Sequence, residues 1–489
     1  MLAAGDRVLY RNKKGKILKV KNHVFYTSLW ITCAFIDNTK SMKKVLILGA
    51  GMVSKPIIQH LLQHGTGVIV ASPMKERADE IINGNPLGSA VDWSMENQSM
   101  LDQMVAGTDI TVSLLPYSFH TDVALVCLKN HKSLVTTSYV QPGIQALDNK
   151  AREAGIIFLN EIGLDPGIDH MSAMKIIDHI HGHGGKVEKF YSLCGALPAP
   201  EAADNPLKYK FSWSPRGVVM AGRNSALYLK DGEKILIESG DLFKDRFLFS
   251  FPGLGDLEVY PNRDSLSYID IYQIPEVSTI YRGTFRYPGW CETLDLMKQL
   301  NMLDDGTADY RGVSYKTFLA RLAGLDRADL RNALAEKFSL KYDSVPLKSL
   351  EFLGFFSDEQ INRGSSSPFE IVSDRMIEKM SLGSDERDMV VMQHLFLAVY
   401  PGGKREVIVS SMLDFGSVST DTAISRTVAL PAAIAVQMIL DGKINLAGVC
   451  RPVVPEIYNP VLSELKNYGI EMKEEYGLPE SQYQVLFKK

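Results

Sequence analysis

Continuous apolar runs alternate with helical repeats along the first third of the chain. Val45–Leu48 is the first such run, and it breaks directly into Gly49-Ala50-Gly51 ahead of an apolar helix face at Ile57–Gln63. Further runs rich in β-branched residues follow at Val68–Ala71, Ile110–Leu114, Leu134–Thr137 and Ile156–Leu159. Runs without polar alternation suit strands buried on both faces, so the pattern predicts a parallel sheet wrapped by helices. We expect an α/β protein whose residues 43–167 form a Rossmann-type, dinucleotide-binding domain.

From about residue 168 the periodicity changes. Ile168, Met171, Met174 and Ile177 mark one helix face, and strand-like stretches follow at Lys189–Cys194 and Lys234–Glu238. Residues 168–287 and 386–425, with strands expected at Met389–Val399 and Glu406–Ser411, read as a mixed α/β substrate domain. Residues 288–385 read as a helical insertion with charged faces around Phe318–Lys337. The Ala-rich stretch Thr422–Leu440 predicts a helix ending at Asp441-Gly442, and 426–489 reads as C-terminal helices returning towards the Rossmann-type domain.

A length of 489 residues leaves room for two or three domains. A net charge of −4 gives no electrostatic case for a nucleic acid or an anionic membrane as partner. The five cysteines (Cys33, Cys127, Cys194, Cys291, Cys450) are scattered and lack metal-ligand spacing, which fits a reduced, cytoplasmic setting. Residues 1–41 are basic and carry one apolar stretch, Val24–Ile36, that is too short to span a bilayer. We read them as an appended leader outside the fold, with a targeting peptide as the alternative.

Candidate chemistry starts at the glycines. Gly49 makes the tight turn and Gly51 keeps side-chain bulk away from a pyrophosphate, while the helix that follows supplies unpaired N–H groups. The third position of the fingerprint is Ser54, small enough for close helix–strand packing. At the end of the second strand, Ser72-Pro73-Met74-Lys75-Glu76-Arg77 offers a hydroxyl and two cations rather than a carboxylate at the tip. That composition favours NADP, with NAD as the alternative. Asn160 to His170 opens another helix, with Asp165 expected at its cap and Pro166 in its first turn, placing a carboxylate beside the nicotinamide. Ser138 and Tyr139 follow the Leu134–Thr137 strand, at the sheet edge where such folds bind ligands.

Arg216, Arg223, Arg263, Arg282 and Arg286 fall in turn-rich stretches of the middle region. Arginines converging on one cleft suit a substrate with several carboxylates, because the planar guanidinium binds both oxygens of each. His120 is either a functional group near the cofactor or a helix-start histidine packed on the domain. His179, His181 and His183 lack flanking metal ligands, so helix-end histidines favoured by the dipole are expected, and no metal site.

Longer motifs narrow the choice. Ser113-Leu114-Leu115-Pro116-Tyr117, Asn160 through His170, Cys194 through Glu201, Asn205 through Ser214, Tyr260 through Ser265, Arg282 through Tyr287 and Glu386 through Val391 stand together in one chain. Over roughly residues 43–475 it resembles the saccharopine dehydrogenase family of the L-glutamate-forming type. The resemblance implies NAD(P)-dependent oxidation of saccharopine to L-glutamate and 2-aminoadipate 6-semialdehyde, or the reverse reductive condensation, in lysine metabolism. It implies cofactor contacts at Gly49, Gly51, Met52, Val53, Ser72, Leu115, Pro116, Tyr117, Ser138, Leu164, Asp165, Pro166 and Ser214. Substrate contacts would fall at Ser138, Tyr139, Asp165, Arg263, Thr284, Phe285 and Arg286, with Asp165 and Tyr139 in catalytic roles. Some members carry Arg or Asp directly after the residue at Ser72, where this chain has Pro73. A homodimer is expected. Two alternatives stand open: a carboxynorspermidine-type reductase of the same fold, and a non-catalytic redox sensor binding NADP(H).

Overall fold

The computed structural model describes residues 42–326, 329–418 and 421–481 in full and 487–488 as backbone. The leader expected over residues 1–41 lies outside the described residues. Six consecutive strands, β1 (Lys44–Leu48), β2 (Gly67–Ser72), β3 (Gly88–Asp92), β4 (Ile110–Ser113), β5 (Ser133–Thr136) and β6 (Ile157–Leu159), pair in parallel with Gly448–Cys450 as a seventh. Across the sheet the order is Gly448–Cys450, β6, β5, β4, β1, β2, β3. Successive connections therefore leave β1 in opposite directions, which opens a crevice at the carboxyl ends of β1 and β4, the ligand position of doubly wound sheets. β3 escaped the sequence reading for a physical reason. It is the edge strand, half-exposed, and carries no continuous apolar run.

A second, mixed sheet of ten strands is built around β7 (Lys186–Pro198). β7 runs parallel to Thr279–Arg286 and antiparallel to Asp388–Val399. The ladder continues outward through Arg405–Phe415 and Lys473–Leu478 on one side, and through Gly255–Pro261 and Phe247–Phe251 on the other. Ile168–Gly182 is the helix that joins the sheets, and its Ile168, Met171, Met174 and Ile177 enter the same core as Val45, Val187, Phe190 and Met392. The described residues of 288–385 supply five α-helices and a short two-stranded ladder, Ala308–Asp309 with Ser365–Ser366.

The Ala-rich helix spans Ala423–Leu440, with Thr422 Oγ1 accepting the Ser425 amide at 3.1 Å. Asp388 accepts the amides of Ala423 (2.6 Å) and Ile424 (3.1 Å), so a carboxylate from the mixed sheet meets the positive helix end. This helix is long and apolar enough to cross a membrane, but 67% of it is buried inside the fold. The segment 426–489 is not helices alone. Gly448–Cys450 joins the parallel sheet and Lys473–Leu478 the mixed one. The second of these is an exposed, charge-rich edge strand, a pattern that hides strands from periodicity.

One local expectation is overturned. Asp165 and Pro166 do not start the helix, which begins at Ile168 behind Gly167. The Asp165–Pro166 peptide is cis, and Gly167 has φ +149°, where a Cβ would lie 2.0 Å from the Gly163 carbonyl oxygen. Gly163 N–H donates to Pro166 O (2.9 Å) and Ile168 N–H to Gly163 O (2.9 Å), closing a tight loop before the helix. The carboxylate that serves this turn is Asp169, whose Oδ1 accepts the Gly167 amide at 2.5 Å.

Candidate active site

Gly49 follows β1 with φ +105°, and its N–H donates to Ala71 O at 2.9 Å. A Cβ there would stand 3.2 Å from the Leu114 carbonyl oxygen, so only glycine lets the β1 and β4 ends approach this closely. At Gly51 a Cβ would meet nothing within 4 Å, which is open space where a ligand needs it. Ser54 is buried and donates to Gly51 O at 2.8 Å, holding the turn shut in the place of the usual glycine. No side chain caps the helix Lys55–Gln63, leaving its first amides facing the turn. Met52 and Tyr117 stand exposed at 47% and 62% around the crevice, with Pro116 exposed and Val53 and Leu115 half-buried. A dinucleotide fits this cradle: open space at Gly51, uncapped helix amides, and the exposed side chains of Met52 and Tyr117.

At the β2 tip Ser72 is buried, and its Oγ accepts the Met74 amide at 3.1 Å. Lys75 is tied to Asp79 at 2.5 Å, whereas Arg77 is exposed on the same helix. Leu164 and Pro166 are buried in the loop before Ile168, and Ser214 is exposed ahead of the helix Pro215–Ala221.

The chemistry concentrates where the loop after β6 meets the strand Thr279–Arg286. Arg282 is almost wholly buried (3%), and its Nη2 donates to Asp165 Oδ1 at 2.5 Å and to the Tyr139 hydroxyl at 2.9 Å. Tyr139 in turn donates to Asp165 Oδ1 at 3.2 Å. The Asp169 carboxylate lies 3.9 Å from the same guanidinium, and the Tyr268 ring packs against it at 4.2 Å. Burial pushes the Tyr139 hydroxyl up, so it stays a phenol and a donor. Burial also pushes the Asp169 carboxyl up, with the Asp165 charge adding to the effect.

Strand alternation sorts the residues of Thr279–Arg286. Arg282, Thr284 and Arg286 share one face, while Phe285 turns the other way into the core against Phe249 and Phe251. The Phe285 ring is therefore not presented to the crevice, contrary to a side-chain contact there. Arg286 is buried against the rings of Tyr209, Tyr260 and Trp290. Arg263 is exposed, with its guanidinium 5.6 Å from the Tyr139 ring centre. Arg216 and Arg223 pair instead with Asp374 (3.1 Å) and Asp305 (2.6 Å), outside this cluster. Ser138 and Tyr139 both follow β5, with Ser138 half-buried at the sheet edge.

Behind the crevice lies a second buried network that sequence reasoning missed. His170 Nε2 lies 2.7 Å from Glu161 Oε2, and Nδ1 lies 2.9 Å from the Tyr272 hydroxyl. Glu161 Oε1 accepts from Val140 N (2.9 Å) and from Arg451 Nε (2.9 Å). Glu161 and His170 belong to one motif, but Arg451 is 290 residues away and nothing local marks it.

Fold and crevice together define a dinucleotide-binding α/β protein with a carboxylate–arginine centre. Comparison with known proteins narrows this. The family model described as "Saccharopine dehydrogenase NADP binding domain" matches residues 45–159, and "Saccharopine dehydrogenase C-terminal domain" matches 163–470. The chain is 39% identical over 445 residues to "Saccharopine dehydrogenase [NADP(+), L-glutamate-forming]" of Saccharomyces cerevisiae, covering 88% of this chain and 99% of the relative. It is 38% identical over 441 residues to "Alpha-aminoadipic semialdehyde synthase, mitochondrial" of Bos taurus, 88% of this chain but 47% of that one. The solved structure of apo saccharopine dehydrogenase (L-Glu forming) from Saccharomyces cerevisiae superposes with a TM-score of 0.82 at 38% identity, covering 89% of this chain and 99% of that one. The chain belongs to the saccharopine dehydrogenase family.

The buried network yields a pH prediction. Burial would push the Glu161 carboxyl up, but the bonds from His170, Arg451 and Val140 outweigh it and hold the group at about 2, below its ordinary value. A carboxyl with a depressed folded-state pKa stabilises the fold above its unfolded pKa and loses that effect as pH falls through the folded one. The stability gap between wild type and Glu161→Gln is therefore expected to be widest above about pH 5, on the order of 3 kcal/mol, and to close towards about pH 2. Urea unfolding at stepped pH measures it, and a gap that does not narrow on acidification contradicts the ion-pair reading.

Proposed function

We propose that this protein oxidises saccharopine to L-glutamate and 2-aminoadipate 6-semialdehyde with NADP as cofactor, or runs the reverse reductive condensation. The observation that carries the substrate side of the reading is Arg286. Its guanidinium is desolvated among three aromatic rings, Nη1 donates only to the Phe285 carbonyl, and Nε has no partner among the described residues. A buried cation without a carboxylate calls for an anionic ligand. Saccharopine brings three carboxylates, and Arg263 at the crevice mouth offers a second site for one of them.

Held at the Gly49–Val53 turn, NADP+ would supply the acceptor for the hydride lost from the lysine-side carbon of saccharopine. The resulting imine takes up water and separates into glutamate and the semialdehyde, releasing one proton overall. Asp165 is the base-side group of this reading, orienting the secondary amine and then the attacking water. Tyr139, kept as a phenol, stands beside the same position, and Arg282 holds the Asp165 carboxylate in place through their ion pair. Gly49, Gly51, Met52, Val53, Leu115, Pro116, Tyr117, Leu164 and Pro166 line the cofactor's path, with Ser72 at its ribose end and Ser214 across the crevice. Ser138, Tyr139, Asp165, Arg263, Thr284 and Arg286 face the substrate. Support for a cytoplasmic setting comes from Cys127, Cys194, Cys291 and Cys450, all free thiols. The homodimer belongs to the same proposal, and light scattering on the purified protein tests it.

Purified protein is expected to reduce NADP+ with saccharopine, and Arg286→Ala to raise the KM for saccharopine strongly. A charged hydrogen-bonding pair lost in a desolvated site costs about 2–5 kcal/mol. Arg263→Ala raises KM less, because that guanidinium is solvated. Unchanged KM in both variants contradicts the substrate placement, and turnover of carboxynorspermidine in place of saccharopine contradicts the reaction.

Cofactor preference is expected to lie with NADP+ in kcat/KM. Arg77→Ala narrows that preference more than Lys75→Ala, since Asp79 already holds Lys75. A wild-type preference for NAD+, or equal effects of the two variants, contradicts this.

A further inference from the structure

Arg451 reaches the network behind the crevice from the far end of the chain. Gly448–Cys450 joins the parallel sheet in register with β6, with Gly448 beside Ile157, Val449 beside Phe158 and Cys450 beside Leu159. Cys450 O accepts the Asn160 amide at 2.9 Å, and Asp148 Oδ1 accepts the Val449 amide at 2.7 Å. This docking delivers Arg451 to Glu161, where its Nε donates to Oε1 at 2.9 Å. The Arg451 side chain keeps 25% exposure and that of Glu161 only 4%.

Glu161 uses both backbone and side chain on the segment that carries Tyr139. Its N–H donates to Ser138 O at 3.1 Å, and its Oε1 accepts the Val140 N–H at 2.9 Å. These bonds bracket Tyr139, one residue on either side. β5 ends at Thr136, so no strand pairing holds residues 138–140. Ser138 is also held from below, by Thr136 Oγ1, which accepts its amide at 3.2 Å, and by His120 Nε2, 2.9 Å from its hydroxyl. Glu161 itself has φ +60°, a left-handed conformation that a non-glycine residue keeps only where its surroundings over-determine it. Arg451 and Val140 on Oε1, with His170 at Oε2, supply that determination. Without Arg451, Oε1 keeps one donor of two and the bracket around Tyr139 loosens.

We propose that Arg451 is a positioning residue for saccharopine oxidation, holding Glu161 so that its two bonds fix the backbone on either side of Tyr139 and keep the hydroxyl at Asp165 and Arg282. The proposal rests on the reading of Tyr139 as a working group of that reaction. An ion pair that only pinned the last strand to the sheet would lower thermal stability and leave kcat untouched.

The test combines kinetics with a local probe. Arg451→Met keeps an aliphatic stem and removes the donor. Its kcat for saccharopine oxidation is expected to fall about tenfold, because a small misplacement of a reacting-site group costs rate. Tyr139→Phe should lower kcat by a similar factor. In that background Arg451→Met should cost less than about twofold more, since both act through one hydroxyl. Hydrogen exchange read by mass spectrometry should quicken over residues 138–141 in Arg451→Met while β1 stays protected. Where Arg451→Met does not fold, Arg451→Lys keeps the charge without the Nε donor, and should show the same local change with kcat down about threefold. A folded Arg451 variant with normal kcat overturns the proposal, as do unchanged exchange over 138–141 and losses that multiply in the double variant. Normal kcat in Tyr139→Phe would instead remove the reading of Tyr139, and absence of saccharopine turnover in wild type would count against the reaction.

Discussion

The ion pair between Arg282 and Asp165 is the constraint on which the crevice depends. Arg282 projects from the mixed sheet and Asp165 from the loop that leaves the parallel sheet, so their 2.5 Å contact fixes two architectures to each other at the crevice. A guanidinium that is almost wholly buried is tolerable only with its charge matched and its N–H groups used. Asp165, the Tyr139 hydroxyl, the face of Tyr268 and the more distant Asp169 meet that requirement together. The loop that presents Asp165 is equally constrained, since Gly167 leaves no room for a side chain.

The network of Glu161, His170, Arg451 and Tyr272 repeats the device one layer behind. Val140, just past the Ser138-Tyr139 pair, is held by its amide to Glu161, and Arg451 follows the strand that extends the parallel sheet beyond β6. Positions of Ser138 and Tyr139 are therefore set from below by His120 and Thr136 and from the side by Glu161. Cys194 sits opposite Thr284 in the sheet register, within electrostatic reach of Asp165, Asp169, Arg282 and Arg286. Such a concentration of desolvated charge around one opening is more typical of a reacting centre than of a structural core.

How much of this was legible in the sequence depends on how local the signal is. β1, the Gly49 turn and the helix Ala423–Leu440 were readable because apolar continuity, a positive-φ glycine and an Ala-rich repeat are written in adjacent residues. β3 and Lys473–Leu478 were not, because edge strands face water and lose the apolar signature. Asp165-Pro166-Gly167 mimics a capped helix start, but the close approach of Gly167 to Gly163 bends the chain away and frees Asp165 for Arg282. Among five arginines of similar local setting, only tertiary structure separates Arg282 and Arg286, both buried, from Arg216 and Arg223 on outer pairs. The motif resemblance and the NADP expectation agree with the family models and with the printed names of the fungal relatives.

The central claim is that Asp165, held by Arg282, works on the substrate at the hydride-transfer position. The direct measurement is kcat for saccharopine oxidation by Asp165→Asn, with NADP+ affinity of the same variant read by fluorescence. Loss of the charge is expected to lower kcat at least about tenfold, roughly 1.4 kcal/mol of barrier, while cofactor affinity changes little. A variant with near-normal kcat would contradict the account and leave Asp165 as the structural partner of Arg282 alone.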